Sequence, residues 1–112
     1  MGHLFYGSSE RPIRIPDRTL AHVKVVIATK LRRGESFTMS WRHPEDEDGG
    51  RSTIWIQPSI PLRFVFGSVE PETLDPALLQ SYATSANSSS GLTIDIDAPV
   101  RAEQGEASAR SV

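Results

Sequence analysis

The stretch that decides the fold spans residues 17–34 and reads DRTLAHVKVVIATKLRRG. Its apolar side chains recur every three or four residues, which is the spacing of one face of an α-helix. Asp17 is a good N-terminal capping residue, and Gly34 is the residue type that commonly ends a helix. The sequence therefore predicts a helix with one apolar stripe, formed by Leu20, Val23, Ile27 and Leu31 and widened by Val26 and Ala28.

Short segments on both sides of this helix alternate apolar and polar residues, which is typical of half-buried strands. Asp75 followed by Pro76 marks the start of a second helix. Because the three central strands follow one another with short links, we expect them to form an antiparallel meander. The predicted order is ββ-α-βββ-α-β, with strands over 3–6, 13–15, 37–42, 53–56, 62–66 and 92–96.

The predicted fold is one small α+β domain over residues 1–97, with a mainly antiparallel sheet and two helices packed on one face. A chain of 112 residues has the length of a single domain. Residues 98–112 are rich in Ala, Glu, Gly, Ser and Arg. This composition predicts a disordered C-terminal tail.

Composition excludes several classes of protein. The chain has no cysteine, so a disulfide scaffold and thiolate metal sites are excluded. No apolar run approaches the ~18 residues that a membrane-spanning helix requires. The N-terminus shows no basic region followed by an apolar stretch, so we expect no signal peptide. These features predict a cytoplasmic protein without a membrane partner.

The charge is unevenly distributed along the chain. Residues 11–42 hold eight basic and two acidic side chains, a net charge of +6, whereas residues 43–112 hold four basic and eleven acidic side chains. A basic half predicts a polyanionic partner such as DNA or RNA. The helix at 17–34 contributes most of these side chains, which form a predicted phosphate-binding ridge: Arg18, His22, Lys24, Lys30, Arg32 and Arg33.

Two alternatives to such a ridge remain open. It could be a solvated helix face, with cations that stabilise the negative end of the helix, or the acidic half of the chain could neutralise it. Trp55 shares its strand face with Thr53 and Gln57, so we expect it to be exposed and available to stack on a nucleobase. A tryptophan that partly covers the sheet is the other interpretation of Trp55. Trp41 alternates with apolar residues and is predicted to lie in the core.

The chain shows no enzyme motif. Its three histidines are scattered, the carboxylates of Asp95 and Asp97 share one strand face without further ligands near them in sequence, and no phosphate-binding glycine loop or nucleophile elbow occurs. The acidic run at 45–48 lacks the alternating ligands of a calcium loop and is interpreted as a hairpin loop. We expect no catalytic residue, no cofactor and no bound metal.

A scattered set of residues forms a more specific pattern: Asp17-Arg18-x-Leu20-Ala21-His22, Lys30-Leu31-Arg32-Arg33-x-Glu35-x-Phe37, Trp41, Gly50-Arg51, Trp55, Phe64-x-Phe66, Ala86-Asn87-Ser88 and Gly91-Leu92. Over residues 1–97 the chain resembles a family of short actinobacterial proteins. The function of that family is not established, and its members are often labelled "ATP-dependent DNA ligase". The label implies a lysine that carries AMP in a K-x-D-G context. Lys24 and Lys30 both lack that context.

Our hypothesis from sequence is a small non-enzymatic binding module that contacts DNA or RNA through its basic helix and Trp55. One alternative is a protein-interaction or homodimer module, in which the acidic half of one chain faces the basic half of another or the edge strand at 92–96 pairs with a partner. Another is the ligase activity that the label of the resembling family implies.

Overall fold

The computed structural model describes residues 1–44 and 49–96. It confirms the α+β class and the predicted order of elements. The acidic run at 45–48 and the predicted tail at 98–112 lie outside the described residues. The elements are β1 (Gly2–Tyr6), β2 (Ile13–Ile15), α1 (Asp17–Arg32), β3 (Phe37–Arg42), β4 (Arg51–Ile56), β5 (Leu62–Val65), α2 (Pro76–Ala86) and β6 (Leu92–Ile94).

The strands form two three-stranded sheets, ordered β2-β1-β5 and β4-β3-β6. Within residues 1–44 and 49–96, all strand pairs are antiparallel except β3 with β6, which is parallel. The predicted meander is therefore wrong at its third strand, because β5 pairs with β1 and not with β4. Pro58 and Pro61 lie in the link before β5, and a proline cannot donate to a strand ladder. The Pro61 carbonyl instead accepts the Gly7 N–H at 2.8 Å.

Helix α1 buries Leu20, Val23, Val26 and Ile27 of its predicted apolar stripe, but Ala28 is exposed, so its predicted place in the stripe is wrong. The start of the helix also differs by one position. Pro16 occupies the N-cap and supplies no side-chain cap, and Asp17 is the first helical residue. The predicted capping role of Asp17 is thus wrong. Its carboxylate accepts the Gly67 N–H at 3.1 Å and so holds the chain after β5. Gly34 follows the helix at φ +73°, the left-handed conformation expected of a terminating glycine.

A single core joins α1 to the inner faces of both sheets. Trp41 is only 8% exposed, which confirms its predicted position in the core. Each fully buried aliphatic side chain contributes roughly 1.5–3 kcal/mol. The core comprises Leu20, Val23, Val26 and Ile27 of α1, Leu4 and Ile15 of the first sheet, Phe37, Met39, Trp41, Ile56, Leu92 and Ile94 of the second sheet, and Ala86 and Ile96 beside it.

His22 joins the two helices inside the protein. It is fully buried, its Nδ1 lies 2.6 Å from the Arg18 carbonyl oxygen, and its Nε2 lies 2.9 Å from the backbone nitrogen of Asp75. A backbone N–H can only donate, so Nε2 is the acceptor and Nδ1 carries the proton that is donated to Arg18. The Asp75 carboxylate then caps α2 by accepting the Ala77 N–H at 3.0 Å, as predicted from sequence.

Helices α1 and α2 run in the same direction. Near their N-termini, the Arg18 guanidinium lies 3.3 Å from the Asp75 carboxylate. Near their C-termini, Lys30 Nζ lies 2.6 Å from Asn87 Oδ1. In each pair the two residues are 57 positions apart in sequence, so the two helices keep one register along their length.

We predict that removing the His22 imidazole destabilises the fold. In His22→Leu, the Asp75 N–H and the Arg18 carbonyl lose a buried partner, and the free energy of unfolding is expected to fall by about 2–4 kcal/mol. Lys24→Leu, an exposed position on the same helix, should change it by less than about 0.5 kcal/mol. Urea denaturation measures both. Equal stability of the two variants would contradict the role of His22.

Gly91 provides a second stability prediction. It has φ +79°, and a Cβ there would lie 2.0 Å from Thr38 Oγ1 and 2.8 Å from the Thr38 carbonyl oxygen. Gly91→Ala should therefore cost about 2–5 kcal/mol from backbone strain and overpacking together. Gly34→Ala is the matched control, because Gly34 has φ +73° but a Cβ added to it would meet no atom within 4 Å. Its expected cost is only about 1–2 kcal/mol, and thermal unfolding of both variants compares the two.

Candidate functional site

The six basic residues predicted to form a ridge on α1 do not form one surface. His22 is the clearest correction, because its side chain is completely buried between the helices and has no face that a surface ligand could touch. It belongs to the buried face of α1 together with Thr19, Val23 and Val26. The helical spacing already indicated that His22 is buried, since it lies four residues before Val26 and therefore on the same face of the helix.

Arg18 and Lys30 are neutralised by acidic residues of the same chain. Arg18 pairs with Asp75 at 3.3 Å, and Lys30 pairs with Glu35 at 3.3 Å. Lys30 Nζ also lies 5.6 Å above the ring of Phe37, and its side chain is only 12% exposed. Partly exposed ion pairs add at most ~1 kcal/mol to stability. They nevertheless remove most of the positive potential that a phosphate would meet at these two positions.

The remaining three residues of the predicted ridge are exposed. Lys24 lies 5.7 Å above the ring of Phe66, in a cation–π contact. Arg32 and Arg33 lie at the end of the helix, and within residues 1–44 and 49–96 neither forms an ion pair. Lys24 and the C-terminal end of the predicted ridge therefore present charge that no carboxylate of the described residues compensates.

Trp55 is 52% exposed, which confirms the exposure predicted from its alternation with polar residues. It points outward from the second sheet, opposite Thr38 in the β3–β4 register. Its backbone carbonyl accepts the Tyr6 hydroxyl, so this strand is attached to the first sheet. We call the outward side of the second sheet the open sheet face, which consists of Thr38, Ser40, Arg42, Arg51, Thr53, Trp55 and Thr93.

The open sheet face combines one aromatic ring with hydroxyl groups and two arginines. Ser40 Oγ and Thr53 Oγ1 lie 2.7 Å apart across the strands. Arg42 and Arg51 are exposed and directly opposite each other. Like charges in opposite positions of a sheet destabilise it, and a bound anion would relieve that repulsion. Trp55 lies four residues from Arg51 along β4, a distance of about 13 Å.

Sequence reasoning missed the pairing of Arg42 with Arg51. Arg42 was counted in the basic half of the chain, whereas Arg51 falls in the acidic half. Only the register of the β3–β4 hairpin places them together. A usable signal was present, because both residues flank the acidic loop of a predicted hairpin and therefore had to lie near each other.

A serine and a histidine also meet at this end of the hairpin. His43 Nε2 lies 2.8 Å from Ser52 Oγ, and the backbone N–H of His43 donates to the Gly50 carbonyl at 2.9 Å. The pair lines a small cavity of about 130 Å³ together with Arg14 and Trp41. Serine and imidazole are the groups of a nucleophile and a base, but here their hydrogen bond holds together the end of β3 and the start of β4.

Burial raises the pKa of the Tyr82 hydroxyl above its ordinary value of 10.0, against the opposing effects of Thr19 and Arg18. Tyr82 is therefore protonated at neutral pH and is not an activated tyrosine. Over residues 1–44 and 49–96, no three His, Asp or Glu side chains are grouped as a metal site would require. In the same part of the chain, no helix has the length and apolar character needed to cross a membrane.

Comparison with known proteins adds a family. A family model described as a domain of unknown function, DUF7882, matches residues 1–97. A search of curated proteins and a search of solved structures each found no significant match. Since the family model covers the whole predicted domain, the chain belongs to the DUF7882 family.

Proposed function

We propose that this domain is a non-enzymatic module that binds single-stranded nucleic acid on its open sheet face. Trp55 would stack on a base, and Arg42 and Arg51 would contact phosphates. The observation that supports this proposal is the half-exposed indole of Trp55 on a strand surface that carries two exposed arginines. Stacking of one base on an aromatic side chain contributes roughly 1–3 kcal/mol.

The shape of the surface favours a single strand over a duplex. A base must be unstacked before it can lie flat on an exposed aromatic ring. The hydroxyls of Ser40 and Thr53 lie on the same surface and can hydrogen-bond to base edges.

Duplex binding along α1 has less support. It requires a continuous row of cations, but His22 is buried and both Arg18 and Lys30 are paired with carboxylates. The open sheet face carries the cations Arg42 and Arg51, and no carboxylate within its strands pairs with them. We retain the polyanionic partner and the cytoplasmic location of the sequence hypothesis. We also retain contributions to binding from Lys24, Arg32, Arg33 and Trp55. The principal contacts with nucleic acid are now placed on the open sheet face.

Ligase activity is the function implied by the label of the resembling actinobacterial family. It would require a lysine nucleophile in a nucleotide pocket. Lys24 lies over Phe66, and Lys30 is held by Glu35 and Asn87. Neither arrangement favours adenylation, so we base the proposed function on binding.

Fluorescence anisotropy with labelled single-stranded DNA, single-stranded RNA and duplex DNA tests this proposal at low and physiological salt. We expect the single strands to bind more tightly than the duplex and to dissociate as salt is raised. Trp55→Ala should raise Kd about 5- to 150-fold, which corresponds to the loss of one stacked base. Arg42→Gln with Arg51→Gln should weaken binding to all sequences and flatten the salt dependence.

Two control variants locate the surface. Arg18→Gln removes an arginine that is already paired with Asp75, so its Kd should stay near that of the wild type. Arg32→Gln with Arg33→Gln tests the helix separately. If that double variant abolished binding while the sheet variants bound normally, the helix would be the site and the proposal would be wrong. Failure of the wild-type protein to bind any of the three ligands at low salt would also overturn it.

A further inference from the structure

The outer side of α1 carries two shallow grooves that meet at Val25. The first, of about 300 Å³, lies between α1 and α2 and is lined by Val25, Val26, Leu79 and Ala83, with Lys30 and Arg33 at one end. The second, of about 340 Å³, lies between α1 and the segment after β5 and is lined by Val25 with Phe66, Val69 and Leu74. Both grooves therefore belong to one continuous surface.

Apolar side chains on this surface are unusually exposed. Val69 is 96% exposed and Leu74 is 43% exposed. They are two of the four large apolar residues that are exposed within residues 1–44 and 49–96, the others being Met1 and Trp55. An apolar patch with a polar rim is the usual surface of a protein-binding site.

The charges on the two sides of Val25 are opposite. Of the described residues, the cations Lys30 and Arg33 line the α1–α2 groove and no acidic residue does. The second groove is lined by Glu70 and Glu72 and by one cation, Lys24, so it is acidic on balance. Neither glutamate forms an ion pair within the described ranges. The segment Val69–Glu72 thus offers one apolar side chain and two carboxylates. The α1–α2 groove offers an apolar floor and the cation Arg33, since Lys30 is already paired with Glu35.

We propose that two copies of this chain form a symmetric dimer through this surface, with the two-fold axis near Val25. A rotation about that axis places the 68–74 segment of each copy on the α1–α2 groove of the other. Val69 then packs on Leu79 of the partner subunit, and Glu70 and Glu72 face Arg33 of the partner subunit. A two-fold interface requires one self-complementary patch, and a patch with an acidic apolar side and a basic apolar side meets that requirement.

This dimer leaves the open sheet face uncovered, so it does not depend on the proposed nucleic-acid contacts of Trp55, Arg42 and Arg51, although it does cover Arg33. The partly exposed charge pairs should mainly set the specificity and salt dependence of association. The apolar contact at Val69 should supply most of the affinity. The dimer therefore predicts association that weakens as salt is raised and is lost when Val69 becomes charged.

Sedimentation equilibrium from about 1 μM to about 1 mM tests the proposal, because this range spans the Kd values expected for a modest interface. We expect the wild-type protein to pass from monomer to dimer within this range. Val69→Asp should remain monomeric, and its near-complete exposure means that the fold tolerates the change. Ser59→Asp, an exposed position in the β4–β5 link, is the control and should dimerise like the wild type.

Charge reversal tests the orientation of the two chains. The Arg33→Glu variant should dimerise at least tenfold more weakly than the wild type. The double variant with Glu70→Arg and Glu72→Arg should be weakened at least as much. Mixed together, these two proteins should form a heterodimer, since both of its contacts then join opposite charges. Native mass spectrometry distinguishes the heterodimer from the two homodimers by mass. A wild-type protein that is monomeric throughout, or a mixture that forms no heterodimer, would overturn the proposal.

Discussion

The arrangement of the domain depends on the buried contact between His22 and Asp75. The imidazole accepts the Asp75 N–H and donates to the Arg18 carbonyl, so both of its nitrogens are satisfied without water. Asp75 in turn caps Ala77 and pairs with Arg18. An unpaired polar group at this depth would cost roughly 1–3 kcal/mol. The contact therefore fixes where α2 begins relative to α1.

Several other features follow from that fixed start. Because α2 runs in the same direction as α1, it ends where Lys30 can reach Asn87. The chain then turns at Gly91 and enters β6 alongside β3, which explains the single parallel pair among the described strands. The same two helices leave a groove between them on the outside, while α1 buries its inner side against both sheets and α2 packs on the second sheet. The basic residues of α1 are divided between these environments.

Much of the fold could be predicted from sequence because local patterns determine it. The apolar period of α1, the capping Asp75 and the different environments of Trp41 and Trp55 were all readable from spacing. The pairing of β5 with β1 and of β6 with β3 was not, since each depends on contacts between distant parts of the chain. Asp17 shows a further limit of prediction from sequence, because a capping carboxylate and a carboxylate in the first helical turn look alike in sequence. In the structure, the Asp17 carboxylate accepts the Gly67 N–H and does not cap the helix.

The candidate site was less accessible to sequence reasoning than the fold. Counting charges by halves of the chain predicted a basic ridge, but Arg18 is neutralised by an acidic residue 57 positions away. Conversely, Arg42 and Arg51 come from different halves and meet only through strand register. The exposure of Trp55 was predictable because alternation along one strand is a local property. Charge complementarity between surfaces is not a local property of one strand.

We propose that nucleic acid binds the open sheet face and not helix α1. A titration of the ¹⁵N-labelled protein with a short single-stranded oligonucleotide, followed by ¹H–¹⁵N correlation spectra, tests it most directly. The two tryptophans supply an internal comparison, because Trp55 is exposed and Trp41 is buried. The account predicts that the indole N–H signal of Trp55 and the amides around Arg42 and Arg51 shift, while the Trp41 indole does not. Shifts confined to α1 with an unmoved Trp55 signal would contradict it.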